Sequence, residues 1–439
     1  MRRSGDTAGV GLRRAVVAFR IRDFRYFFVS GFASQLGMQM SMIAQGILAW
    51  ELTGSFAVTG VLGLSFGIPM LFLSLIGGAT ADRFGKRTLV MASQATNTSV
   101  AVATGLLVAT NAINVPLLFV LGLVQGCTFP FMMPARQALL AEIVPRAQLM
   151  NAVALNTASR SGTTIVGPAV AGLMIGFRDV ETAYFLLAAV NMVSLLTFTR
   201  VHSGRTVEAV RRRGGGTVAD VLTGLRYVVR SPVFRMLMFM AALHAFFGMP
   251  YQVLLPGFAS EELGQQSAYA TIVAVAGAGA LAGALVMALL SEYERKPLLQ
   301  LIVGLGMALS LVGLGVGAKE FGLASVLFAA IWLGFSLNTF QALNNTMILS
   351  AADPAYTGRV MSMVMFTFSV MPLVGAPLGV VADLIGASTV FIVMGATAAA
   401  CLLGMLVVNR KQMLGPSPDV VYATATERPE LKPQQAANG

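Results

Sequence analysis

The apolar stretches of this chain hold few side chains that could do chemistry. His244 is the one histidine with apolar neighbours on both sides, and imidazole titrates near neutrality, which suits a proton relay as readily as a packed ring. Arg160 is the one clear charge inside such a stretch. At mid-bilayer it would cost about 2.5 to 3.5 kcal/mol, so it must face water, cargo or a partner, or else snorkel to the near end of its helix. Gln35 and Gln39 share one helical face, as do Asn338, Gln341 and Asn345. Gln125 is central in its stretch, and Asn156 lies one turn before Arg160. Such amides serve either as contacts to a polar cargo or as hydrogen bonds between helices. No Asp or Glu falls clearly inside an apolar stretch, Glu51 coming nearest. Proton coupling would therefore use His244, Glu51, a loop acid such as Asp82 or Glu142, or the cargo itself.

Other chemistries are weakly represented. Gly63-Leu-Ser65-Phe-Gly67 fits G-x-S-x-G, but a nucleophile elbow needs a strand, a turn and a helix with an acid and histidine nearby, which this stretch does not offer. Gly277 to Ala282 imitates a dinucleotide fingerprint without a preceding strand and reads as small-residue helix packing. No P-loop appears, so no nucleotide powers the chain directly and no cofactor is expected. Cys127 and Cys401 both lie in apolar sequence and form neither a disulfide framework nor a metal cluster. The formal charge of +11 suits loops facing an anionic leaflet rather than a nucleic acid.

The elements that must carry these residues are membrane helices. With 56% apolar and 11% charged residues and a mean hydropathy of +0.76, the composition exceeds that of a soluble domain. Twelve stretches are each long enough to cross about 30 Å of hydrocarbon. They run at 26–50, 56–78, 88–109, 115–133, 152–176, 182–199, 236–256, 268–290, 297–317, 322–348, 359–382 and 388–408. We refer to them as spans one to twelve. Counting the N-terminal tail as the first gap and the C-terminal tail as the last, 27 of the 30 Lys and Arg residues fall in odd-numbered gaps, Arg359 at the very start of span eleven included, leaving Arg178, Lys319 and Arg160. That alternation places both termini in the cytoplasm.

Six spans precede the longest internal gap and six follow it. The expected layout is a basic tail at 1–25, a bundle at 26–199, a linker at 200–235, a second bundle at 236–408 and a polar tail at 409–439. The linker carries Arg211 to Arg213, Gly214 to Gly216 and then apolar residues at helical spacing. It reads as a surface helix that either tethers two rocking halves or simply connects them. Pro145 and Pro168 are 23 residues apart, as are Pro354 and Pro377, before and within spans five and eleven. This repeat implies two similar halves with a cargo path between them. The expected fold is an all-α membrane protein of twelve transmembrane helices in two pseudo-symmetric six-helix bundles.

Between spans two and three stands Gly78-Ala-Thr-Ala-Asp82-Arg83-Phe-Gly85-Lys86-Arg87. It resembles the loop signature G-x-L-x-D-R-x-G-R-K of the major facilitator superfamily, with Thr80 in place of the leucine. The resemblance covers nearly the whole chain apart from its tails. Leu52 to Ser55, Asn151 to Asn156 and Gly358 to Ser362 resemble the branch containing the enterobactin exporter and related bacterial efflux proteins. It implies that Asp82 contacts the start of span eleven, near Gly358 and Arg359, and steadies the state open to the outside; otherwise Asp82 and Arg83 merely mark a turn. Gly162 to Gly172, with Gly167-Pro168 mid-helix, resembles the superfamily's antiporter motif, with Thr163 and Ala171 departing from it. Gly167, Pro168 and Pro377 would bend their helices.

The resemblance implies a monomeric secondary carrier in the cell membrane, a bacterial inner membrane, that exports a small amphipathic molecule, siderophore-like or drug-like, by alternating access with the proton as coupling ion. One proton descending 100 mV supplies about 2.3 kcal/mol. With Arg160 as fixed charge and no membrane carboxylate, the expected cargo is neutral or anionic. Uptake of a small metabolite and a non-transporting scaffold are the rival readings.

Overall fold

The computed structural model describes residues 17–177, 180–202, 231–265, 267–290, 293, 295–351 and 371–414, and these are helical apart from short connections, with no strand among them. Over 74–84 only the backbone path is described, as also for Arg160 and Pro168. Hydrocarbon offers no partner to a loose N–H or C=O, so each crossing segment closes its own hydrogen bonds as a helix. Eight of the described helices are long and apolar enough to cross a membrane by length and composition.

Spans one, two and three occupy Arg22–Thr53, Phe56–Phe84 and Lys86–Ala109. Spans four, five and six occupy Val115–Ile143, Arg146–Phe177 and Val180–Thr199. Span seven runs from Pro232 to Glu262 and contains two π-helical turns, His244–Gly248 and Phe258–Glu262. Ser267–Leu289, Lys296–Glu320, Leu323–Ala351, Met371–Ile385 and Ala387–Val408 follow as spans eight to twelve. The first part of span eleven, with Gly358 and Arg359, lies outside the described residues, as do most of the linker and both tails.

Several boundaries lie outside those expected from sequence, with span two ending at Phe84 rather than 78 and span seven at Glu262 rather than 256. Span four continues ten residues past 133, carrying Pro130 and Pro134 in its interior, and span five starts at Arg146 rather than 152. Prolines signal helix ends in water, but inside a membrane protein neighbouring helices satisfy the freed backbone groups and the helix continues. Helix starts follow ordinary capping. Asn114 accepts from Leu117 N at 2.9 Å, with Pro116 in the first turn, and Ser55 Oγ accepts from Val58 N at 3.3 Å.

Two compact units can be distinguished. One comprises residues 1–213, 252–277 and 372–387; the other comprises 214–251, 278–371 and 388–439. In the first, Phe24, Phe27, Val90, Leu139 and Phe198 form a buried apolar cluster. Spans two and four pack through small residues. A Cβ on Gly126 would lie 2.9 Å from both Phe66 Cα and Ser65 O. Ser65 is buried at that crossing and donates to Leu62 O of its own helix at 2.6 Å, so its hydroxyl stitches a helix and attacks nothing. In the second unit, a Cβ on Gly279 would run into the Ile331 carbonyl, the small-residue packing expected of that segment. Gly304 similarly lies against Phe340 and Leu402.

Because backbone cannot yield as a side chain can, Gly126→Val should lower the melting temperature in detergent by several degrees or abolish recovery of monodisperse protein. Gly162→Ala, where nothing lies within 4 Å of an added Cβ, should leave both unchanged in the same gel-filtration and thermal-melting assay.

Candidate functional site

The first unit contains a buried cation that sequence spacing places in a loop. Arg136 projects from the extended part of span four and is 8% exposed. Its Nη2 donates to Phe27 O of span one at 3.2 Å, and its Nη1 lies 3.5 Å from Ser30 Oγ. The guanidinium carbon sits 4.9 Å from the Phe27 ring centre and 5.6 Å from that of Phe198 in span six. Turning the Gln94 amide so that its oxygen faces the arginine gives a further acceptor at 2.8 Å, while its nitrogen donates to Ser194 O at 3.2 Å. Ser194 Oγ donates to Ser30 O at 2.8 Å. Spans one, three, four and six are thus tied by one charge dispersed over neutral acceptors and two aromatic faces, an arrangement that lowers the cost of burial. Among the described residues no aspartate or glutamate is buried, whereas Arg136 and Lys296 are.

Beside this tie lie two narrow recesses, lined by apolar side chains with a few polar ones among them, with room for about 10 and 30 Å³ of water-sized space. Gln125 lines both and exchanges hydrogen bonds with Ser41 of span one at 3.0 to 3.2 Å. Thr128 donates to Asn97 Oδ1 at 3.0 Å on the floor of the larger recess. Asn156 approaches the arginine: a Cβ on Gly31 would lie 2.8 Å from Arg136 Nη2 and 3.8 Å from Asn156 Oδ1. The stem of Gln39 packs on Gly167, so that glycine admits span one against span five along a helix that runs on to Phe177. Gln35 is half-buried, Pro377 lies exposed within span eleven, and Glu51 is exposed near the end of span one.

In the second unit His244 is buried and stacks on Phe340, with ring centres 5.8 Å apart and planes 8° from parallel. Asn338, Gln341 and Asn345 are half-buried on span ten. The buried amide contact lies one residue away, where Gln300 donates to Asn344 at 3.0 Å. Sequence spacing selects the neighbouring face because span ten is apolar nearly all round.

The basic pair of the loop motif is occupied by protein. Lys86 forms an ion pair with Glu142 at the end of span four. Arg87 donates to the carbonyl of Thr199 at the end of span six, at 2.6 Å, where a cation meets the negative end of a helix. Gly85 follows span two with φ +81, a conformation that favours glycine. Gly78 lies within the helical backbone. The side chains of Asp82, Arg83, Arg160 and Pro168 lie outside the described residues.

This all-helical architecture, with polar side chains turned inward and paired, is that of a membrane carrier with the major facilitator fold. The chain matches the transmembrane secretion effector (MFS_3) family over residues 14–432 and belongs to it. It is 25% identical over 391 residues to the multidrug efflux pump Tap of Mycolicibacterium fortuitum, covering 85% of this chain and 91% of that protein. It is 21% identical over 396 residues to the staphyloferrin A transporter of Staphylococcus aureus, covering 89% and 97%. The crystal structure of the nucleoside transporter NupG shares the fold with a TM-score of 0.68, at 14% identity, covering 88% of this chain and 98% of that one. The protein is a membrane-spanning secondary transporter of this type, and its relatives and structural neighbours are transporters rather than enzymes.

Arg136→Met removes the charge and takes a donor from Phe27 O and from the turned Gln94 amide. It should cost about 3 kcal/mol, read as a marked fall in melting temperature in detergent, with Arg136→Lys falling between it and the parent.

Proposed function

We propose that the protein exports a small amphipathic molecule, neutral or anionic, from the cytoplasm across the cell membrane by alternating access driven by the proton gradient. One observation carries the cargo assignment. The described interior of the carrier holds a buried guanidinium and no buried carboxylate. An organic cation entering such an interior would meet repulsion with no counter-charge, whereas an anion or a neutral polar group finds donors from Arg136, Asn156 and the recess amides. Arg160, one turn beyond Asn156 on span five, adds a second positive side chain. The outward direction draws on the likeness to a multidrug efflux pump and on the antiporter-type sequence around Gly167.

In this reading both termini face the cytoplasm, and Asp82 with Gly358 and Arg359 controls the cytoplasmic end. The carrier acts as a monomer of two rocking bundles joined by the 200–235 linker. Proton coupling falls to His244 or Glu51, since the described spans offer no buried acid.

Inside-out vesicles with an imposed proton gradient test the whole reading. An anionic amphipathic dye should accumulate and be released by an uncoupler, a permanently cationic dye should not, and Arg160→Gln should reduce anion accumulation at least several-fold. Accumulation of the cationic dye alone, or entry only in right-side-out vesicles, overturns it. His244→Gln and Glu51→Gln then separate the coupling candidates. The variant that removes the proton carrier loses uphill accumulation but retains downhill flux.

A further inference from the structure

Asp383 joins the end of span eleven to the beginning of span two. It stands in the last turn of span eleven, two residues before the helix ends at Ile385. There its carboxylate reaches the start of span two, accepting from Phe56 N at 2.7 Å, from Ala57 N at 3.0 Å and from Ser55 Oγ at 2.8 Å. Ser55 Oγ in turn accepts from Val58 N, so the first three free amides of span two are closed by one serine and one acid from a residue more than 300 positions away. An acid at its own helix C-terminus is electrostatically disfavoured, while an acid at another helix's N-terminus is favoured. The position is therefore explained by span two and not by span eleven.

The two helices also touch through backbone. A Cβ on Gly60 would lie 2.6 Å from Gly375 O and 2.8 Å from Ala376 Cα, so side chains do not hold these spans apart and the contact can open without repacking. The same eight-residue pattern ends both helices. Gly78-Ala-Thr-Ala-Asp82-Arg-Phe-Gly85 closes span two, and Gly379-Val-Val-Ala-Asp383-Leu-Ile-Gly386 closes span eleven. Gly85 and Gly386 both have φ +81, and each acid precedes its helix end by two residues.

We infer that Asp383 is the latch of the extracellular gate: its carboxylate clasps the N-terminus of span two when the outer end is shut and must let go for cargo to leave. It is the counterpart of Asp82, which sits at the opposite end of span two. Each span of the pair carries an acid two residues before its C-terminal end, and in this proposal engagement of Asp383 at the outer end alternates with engagement of Asp82 at the inner end. Asp383 is a positioning residue, acting on the gate and not on cargo. This inference rests on the alternating-access reading above but is read out without any cargo.

The test uses full-length protein in membranes, with Cys127 and Cys401 replaced by serine and a single reporter, Thr59→Cys, one turn inside Ser55 and buried when the latch is closed. Labelling by a membrane-impermeant maleimide added from the outer side should be slow in this parent. Asp383→Ala should raise its rate about tenfold, equivalent to about 1.4 kcal/mol, within the range of a lost helix cap. Asp383→Asn, which keeps the shape without the charge, should give a smaller rise. Asp82→Ala should lower the rate, and the double variant should return toward the parent. A merely structural role for Asp383 gives no such opposition of sign. Unchanged labelling in Asp383→Asn and in well-folded Asp383→Ala, or a rise with Asp82→Ala, overturns the latch. If labelling behaves as stated while no dye is exported, the cargo and direction fail and the latch stands.

Discussion

Hydrocarbon accepts no hydrogen bonds, and that constraint organises the molecule. Every polar atom on a span must find its partner within the protein, so serines, amides and the arginine gather on the inner faces. The tie around Arg136 is the extreme case. A full charge is held 8% exposed by a carbonyl, a serine, an amide and two rings, with contributions from four spans. No apolar attraction could select those four helices as neighbours, because lipid tails surround a leucine as favourably as another leucine does. Directional donors and acceptors make that selection, and small residues such as Gly126 and Gly279 let the backbones come close enough for it.

How far the chain is legible from its residues follows from the same constraint. Helices, their order and the carrier class can be read directly, because a run of apolar residues as long as a bilayer is thick is seldom anything but a crossing helix. Facing cannot. Where a helix meets lipid on one side and apolar neighbours on the other, its periodic signal fades, and Asn345 is as good a candidate from spacing as the buried Asn344. Arg136 escapes for a different reason. Pro130 and Pro134 mark an end to span four at 133, which leaves the arginine in a loop, although the run Gln137-Ala-Leu-Leu-Ala continues at helical spacing to Ile143. The loop motif is plain in the sequence, whereas the partners of its lysine and arginine, Glu142 and Thr199, emerge only from the fold.

Cargo is less legible than fold. Chains 14% identical to this one fold alike because the architecture asks only for apolar length, small contact residues and capped ends. Recognition depends instead on a handful of polar side chains whose partners change with each substitution. In this protein those around Gln125 already bond to one another through Ser41, Asn97 and Thr128. An arriving molecule must therefore compete with existing hydrogen bonds. Contacts of that kind favour selectivity by exchange over raw affinity.

The wide turn at His244–Gly248 adds a mechanical property to span seven. A π turn holds one residue more than the α-helix around it, and that surplus rotates whatever follows by about 100°. The π turn therefore shifts the register of span seven just before Met249 and Pro250, where the regular helix is interrupted until Tyr251.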